Sequence, residues 1–158
     1  MKKMKKIVIA IITVFIISVG AKAQVEPHAI GVRLGGGNYG SGFEISYQHG
    51  IGDGNRLEFD LGLNSQNKAS YMSIAGIYQW VWTIEGGFNW YAGPGAQLLL
   101  VSKYTVIGIG GQIGVEYNFN PDMDVPLQIG LDARPMFNFF NGGSDLGWGA
   151  ALSIRYTF

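Results

Sequence analysis

From Ala29 onward, apolar and polar residues alternate along the chain. In "AIGVRLG", Ile30, Val32 and Leu34 fall on one side, and Gly31, Arg33 and Gly35 on the other. "FEISYQH" sets Phe43, Ile45 and Tyr47 against Glu44, Ser46 and Gln48, and "LEFDLGLN" sets Leu57, Phe59, Leu61 and Leu63 against Glu58, Asp60, Gly62 and Asn64. "IGIGGQIGVEYNF", "PLQIGLDARPMF" and "WGAALSIRYTF" keep the rhythm. A period of two means strands with one apolar and one polar face. The pattern predicts eight strands, at about 29–36, 42–50, 56–64, 71–83, 87–100, 105–119, 126–139 and 147–158. Turn-rich stretches such as "IGDGN", "SQNKA", "NPDMD" and "NGGSD" separate them. Strands 71–83 and 87–100 alternate least cleanly. Pro94 and Pro135 fall inside strands, where each removes a ladder hydrogen bond, so a bulge or bend is expected at each.

Two orientations fit such strands. A soluble sandwich or lipocalin-like barrel turns its apolar face inward, whereas a membrane barrel turns it toward lipid and fills its lumen with small and polar residues. Charge is segregated: Arg33, Glu44, Glu58, Asp60, Glu116, Asp132, Arg134 and Arg155 all fall opposite the apolar face. That separates the faces without saying which one is inside. Glycine decides it. The polar face carries Gly31, Gly35, Gly62, Gly93, Gly95, Gly108, Gly110, Gly114, Gly130 and Gly149. Glycine weakens a water-facing strand, but the lumen of an eight-stranded barrel is barely wide enough for side chains and needs it. The lipid-facing orientation follows.

Aromatic residues then fall at two levels. Trp80, Trp82, Trp90, Tyr117, Phe119, Tyr156 and Phe158 gather toward the end that holds the termini, and Phe137, Phe139 and Trp148 toward the other. Two aromatic girdles are the mark of two membrane interfaces.

The front of the chain reads differently. "MKKMKK", an apolar run from Ile7 to Val19 and small residues at Ala21 and Ala23 form a secretory signal, with cleavage expected after Ala23. Residues 1–23 are thus expected to be signal peptide and 24–158 the barrel domain. No later apolar run could span a membrane as a helix. Removing Lys2, Lys3, Lys5, Lys6 and Lys22 leaves six basic residues against eleven acidic ones. That balance argues against nucleic acid as a partner. Having no cysteine excludes lipid attachment at the new N-terminus and suits an exported chain without disulfides.

Candidate chemistry is thin. "GGGNYG" contains the glycine spacing of a dinucleotide loop, but a strand follows it where such a site needs a helix, so it reads as a hairpin. His28 and His49 fall at the terminal end of their strands, while Ser144 and Asp145 fall at the opposite rim, so no triad forms. With no third ligand, zinc is not expected, and no cofactor is implied. The charged residues of the polar face are the one constellation: an ion path, or a network that plugs the lumen and sets register.

"GGFNWYAGPGAQ", "VPLQIGLDARPMF" and the closing "WGAALSIRYTF" resemble the small outer-membrane β-barrel family of Gram-negative bacteria, within the porin-like superfamily. The resemblance implies an eight-stranded antiparallel up-and-down transmembrane barrel in the cell outer membrane, with outer-membrane lipid as its surroundings. It further implies that Tyr156 and Phe158 are read by the barrel-assembly machinery as a C-terminal signal. The expected role is structural or interactive and not enzymatic. The alternatives are a narrow pore for ions or small solutes and, behind it, a lipid-modifying enzyme. No surface partner is legible.

Overall fold

The computed structural model describes residues 1–18, 25–38 and 40–158. Helix α1 (Lys2–Ser18) covers most of the apolar leader, and the expected cleavage point after Ala23 lies outside the described residues. Among the described residues no helix is long and apolar enough to cross a membrane, which says nothing about strands.

The rest of the fold is a sheet closed on itself. Its strands are β1 (His28–Gly37), β2 (Gly40–Gly52), β3 (Asn55–Gln66), β4 (Ala69–Glu85), β5 (Phe88–Val101), β6 (Tyr104–Asn118), β7 (Leu127–Phe140) and β8 (Gly143–Thr157). Each pairs antiparallel with its chain neighbours, and β8 returns to β1, from Ala29 opposite Thr157 to Gly37 opposite Gly149. His28 and Phe158 complete the seam by exchanging backbone hydrogen bonds of 3.0 and 2.9 Å. Closure matters because an open edge would leave a row of unpaired amides in any apolar surroundings.

All eight predicted strands are present, with the largest difference at the start of β8. Gly143, Ser144 and Asp145 have the composition of a turn, yet they pair with Phe140, Phe139 and Asn138 of β7. Register across the hairpin outweighs local preference there. Of the bulge or bend expected at the two prolines, the bulge is not found. Pro94 lies opposite Gly111 between unshifted pairs, and Pro135 lies opposite Trp148 in an unbroken ladder. Each proline interrupts the pairing on its other side without moving the register. The missing amide is absorbed as a local gap. Register shifts occur instead at Gly50/Gly52 and at Thr83/Glu85, near the end that carries the termini.

The connections differ between the two ends. At the far end, β3–β4, β5–β6 and β7–β8 are joined through Asn67–Lys68, Ser102–Lys103 and Asn141–Gly142. At the terminal end the β6–β7 connection is longer and carries a single helical turn, α2 (Asn120–Met123), ended by Asp124 in the left-handed region.

Alternation sets the two surfaces. Leu34, Ile45, Leu61, Ile109, Leu131 and Leu152 stand exposed on the outside, while the residues between them are buried or half-buried. β4 explains its own irregular pattern: Ile77 and Val81 point inward with Ala75 and Gln79, so apolar residues occupy both of its faces.

Candidate functional site

The lumen is packed with polar side chains. Near the terminal end, Arg56 forms a fork with Glu116, with Nη1 donating to Oε1 at 2.9 Å and Nη2 to Oε2 at 2.6 Å. Its guanidinium lies 4.9 Å from the ring centroid of Tyr91. Asn89 and Gln128 also donate to Glu116. One level further in, Glu58 is wholly buried and accepts from Gln48 at 2.6 Å, Gln79 at 3.1 Å and Gln112 at 3.2 Å. Arg155, also at zero exposure, donates to Glu58 at 3.1 Å, to Ser46 at 2.9 Å and to Ser153 at 2.8 Å.

The next level holds Arg33, Glu44, Asp60, Asp132 and Arg134. Arg33 forks onto Asp132 and donates to Glu44 at 2.6 Å. Arg134 reaches Asp60, and reaches Glu44 and Glu58 at 3.3 Å each. These residues come from β1, β2, β3 and β7, so the network ties together staves that are far apart in sequence. Every charged group in it has an ionic partner, as burial requires.

Glycine makes the space for this packing. A Cβ on Gly114 would lie 2.5 Å from the Tyr91 hydroxyl and ring, and one on Gly62 would lie 2.8 Å from Cγ of Glu44. The bare positions let Tyr91 and Glu44 lie across a narrow lumen.

Sequence reasoning placed Arg33, Glu44, Glu58, Asp60, Glu116, Asp132, Arg134 and Arg155 on one face, and the structure brings these residues together. It missed Arg56. That residue directly follows the turn at "IGDGN", yet it shares its parity with Glu58 and Asp60, and this was the available signal. It also missed the glutamine layer of Gln48, Gln79, Gln112 and Gln128, which no charge count reveals.

The terminal end of the lumen is covered. Val25 packs against Val81 and Tyr91, and Glu26 accepts from Asn118 at 3.1 Å and Asn120 at 2.9 Å. The segment before β1 therefore crosses the mouth to the β6–β7 connection. Outside the strands, Asp122 accepts from the Tyr117 hydroxyl at 2.8 Å and from the Gly87 amide at 3.0 Å. Those hydrogen bonds hold its carboxyl below the usual carboxylate range.

His28 and His49 lie together at the terminal end, with His28 Nδ1 2.7 Å from the Tyr47 hydroxyl. Ser144 and Asp145 sit at the opposite end, in the β7–β8 hairpin. Among the described residues no group of three or more His, Asp or Glu is arranged for a metal. "GGGNYG" spans the end of β1 and the start of β2, with no helix after it.

The aromatic residues pair up at the two ends. Trp82 stacks on Trp90 at 4.2 Å, Tyr117 meets Phe119 edge-on at 4.8 Å, and Tyr156 stacks on Phe158 at 6.1 Å. Trp80 packs edge-on against Tyr78 at 5.1 Å. Toward the far end, Phe137 and Phe139 lie 5.8 Å apart and Trp148 is exposed on the outside.

No protein-family profile matches the chain, and no curated protein matches it. Among solved structures, it is similar to the crystal structure of Neisserial surface protein A, with a TM-score of 0.59 and 20% identity over 83% of this chain and 96% of the other. The fold is shared, and in this chain it is a closed eight-stranded antiparallel barrel.

Proposed function

We propose that the chain is an integral barrel of the Gram-negative outer membrane, exported through a cleaved signal peptide. Its lumen is sealed, and its role is structural or interactive at the cell surface. It performs no catalysis. The carrying observation is the level of Glu58, Gln79 and Arg155: these bonded side chains span the lumen with none of their surface exposed. A path for ions would have to break that level. The apolar exterior supports the membrane setting, since lipid satisfies a surface that water would not.

Two measurements test this together. The detergent-extracted membrane fraction, run boiled and unboiled, should show a heat-dependent shift in gel mobility, with the protein absent from the soluble fraction. Purified protein in planar bilayers should show no steady single-channel conductance. Discrete conductance steps would replace this reading with a narrow ion or small-solute pore. A soluble protein without a mobility shift would mean that the strands face the other way.

A further inference from the structure

Three hairpins frame a cavity at the far mouth of the lumen, and each brings one aromatic ring together with polar side chains. β3–β4 supplies Tyr71 with Gln66 and Ser70, β5–β6 supplies Tyr104 with Lys103, and β7–β8 supplies Phe140 with Asn141 and Asp145. The cavity measures about 610 Å³, and the rest of its lining, Ala69, Leu99, Val101 and Val106, is aliphatic. That volume lies within the usual range for small-molecule sites, about 300–1,000 Å³. Tyr104 and Phe140 do not belong to the outer girdle. Tyr104 stands two residues before buried Val106, and Phe140 two residues after buried Asn138, so both project from the lumen side of their strands. There they are 54% and 40% exposed. A ring on that side meets no lipid, and sealing the lumen does not call for it, since bonded polar groups fill the levels below.

We propose that this mouth binds an uncharged saccharide through a pyranose ring. The charges around it select neither sign. In the lining of the cavity and of the recess of about 100 Å³ that continues from it, Arg33, Arg134 and Lys103 stand beside Glu44 and Asp145. Arg33 and Arg134 are both bonded to Glu44, and to Asp132 and Asp60 respectively. A charged ligand would have to compete with those pairs. The placing of the uncharged groups selects the class. Serine, tyrosine, asparagine and glutamine each donate and accept hydrogen bonds, and here they come from all three hairpins, so they encircle the cavity. An amphiphile carries its polar group at one end and would leave most of them unmet. A pyranose carries hydroxyls around its whole rim and apolar C–H groups on its faces, which suits rings and hydrogen-bonding groups alternating around one space. A free saccharide and the headgroup of a glycolipid share this chemistry. The site gives the surface-interaction role a ligand class, and its opening to the cell exterior rests on the proposed function.

The test uses the full barrel in lipid nanodiscs and three disaccharides, maltose, cellobiose and lactose, with sorbitol and cyclohexanol as controls. Sorbitol keeps the hydroxyls without the ring, and cyclohexanol keeps a ring with a single hydroxyl. Calorimetric titration, corrected with empty nanodiscs, should give saturable one-site binding of at least one disaccharide, about tenfold or more tighter than either control. Raising the salt from about 50 to about 500 mM should change that affinity less than about twofold, because the ligand pairs no charge. Tyr104→Ala should weaken binding about tenfold or more, and Val106→Trp, which fills the cavity, should abolish it. Heat-shifted gel mobility checks that each variant is closed. Nanodiscs containing digalactosyldiacylglycerol separate the two sources: weaker disaccharide binding there assigns the site to a membrane glycolipid, and unchanged binding assigns it to a free saccharide. The proposal is overturned by no saturation above empty nanodiscs for all three disaccharides, by equal binding of either control, by an affinity that falls steeply with salt, or by binding that neither variant diminishes. A normal mobility shift without disaccharide binding would sink the site and leave the barrel intact, whereas loss of the shift in the parent would sink the membrane reading itself.

Discussion

Glu58 carries more of this lumen than any other side chain. Arg155 has its salt bridge to Glu58, and Arg134 and Arg33 approach the same carboxylate at 3.3 and 4.0 Å. Glu58→Gln keeps the shape and removes the charge, leaving the Arg155 guanidinium buried without an ionic partner. Breaking one side of a buried pair costs about 3–5 kcal/mol. Equilibrium unfolding of the barrel in urea should show a loss of that order, and an unchanged midpoint would mean that the hydrogen bonds to Ser46 and Ser153 suffice. At this scale alternation was informative, because parity alone put eight charged residues on one face. It could not supply partners. Arg33 pairs with Asp132 across 99 positions of sequence and Arg56 with Glu116 across 60. No local pattern reports such distances.

The hairpins and turns hold two further tests at the scale of single elements. In the β3–β4 turn, Asn67 and Lys68 both have positive φ, 49° and 66°. Asparagine tolerates that conformation, whereas lysine pays for its Cβ. Lys68→Gly should stabilise the barrel by up to about 1 kcal/mol, since relief of the left-handed strain exceeds the entropy lost with glycine. A destabilised variant in a urea titration would show that the Lys68 side chain holds the turn. At the other end, Asp122 ties the β4–β5 turn to α2 through Gly87 and Tyr117. Its carboxyl is depressed in the folded state, so its contribution is complete above the ordinary carboxylate pKa and is lost as pH falls through the lower folded value. Stability measured down through the acid range should fall less steeply for Asp122→Asn than for the parent. Identical acid profiles would remove Asp122 from the account. Element order and number were legible in the alternation. The start of β8 and the unshifted prolines were not, because the opposite strand decides which turn-like residues join a ladder and whether a missing amide moves the register.

For the whole molecule, the decisive property is which surface faces out. Leu152 stands half-exposed on the exterior of β8, between Leu34 and Leu131 on the adjoining strands. On a water-facing sheet, Leu152→Arg would alter stability by less than about 0.5 kcal/mol. In hydrocarbon near the bilayer midplane it costs about 2–4 kcal/mol. Unfolding of the variant in lipid vesicles should show the larger loss, and a neutral substitution would contradict the membrane setting.

A period of two along the chain was enough to establish eight two-faced strands. The glycines on the polar face, bulk being intolerable there in so narrow a barrel, pointed to its being the inside. Both are one-dimensional properties that short hairpins preserve. Closure was expected from the barrel reading, but the seam's register, with Ala29 opposite Thr157, was left to tertiary structure, because β1 and β8 are joined by no hairpin that could set it. The same holds for Val25 and Glu26 lying across the terminal mouth, and for the ion pairs that join β1, β2, β3 and β7. Each arises where segments distant in sequence meet across one lumen.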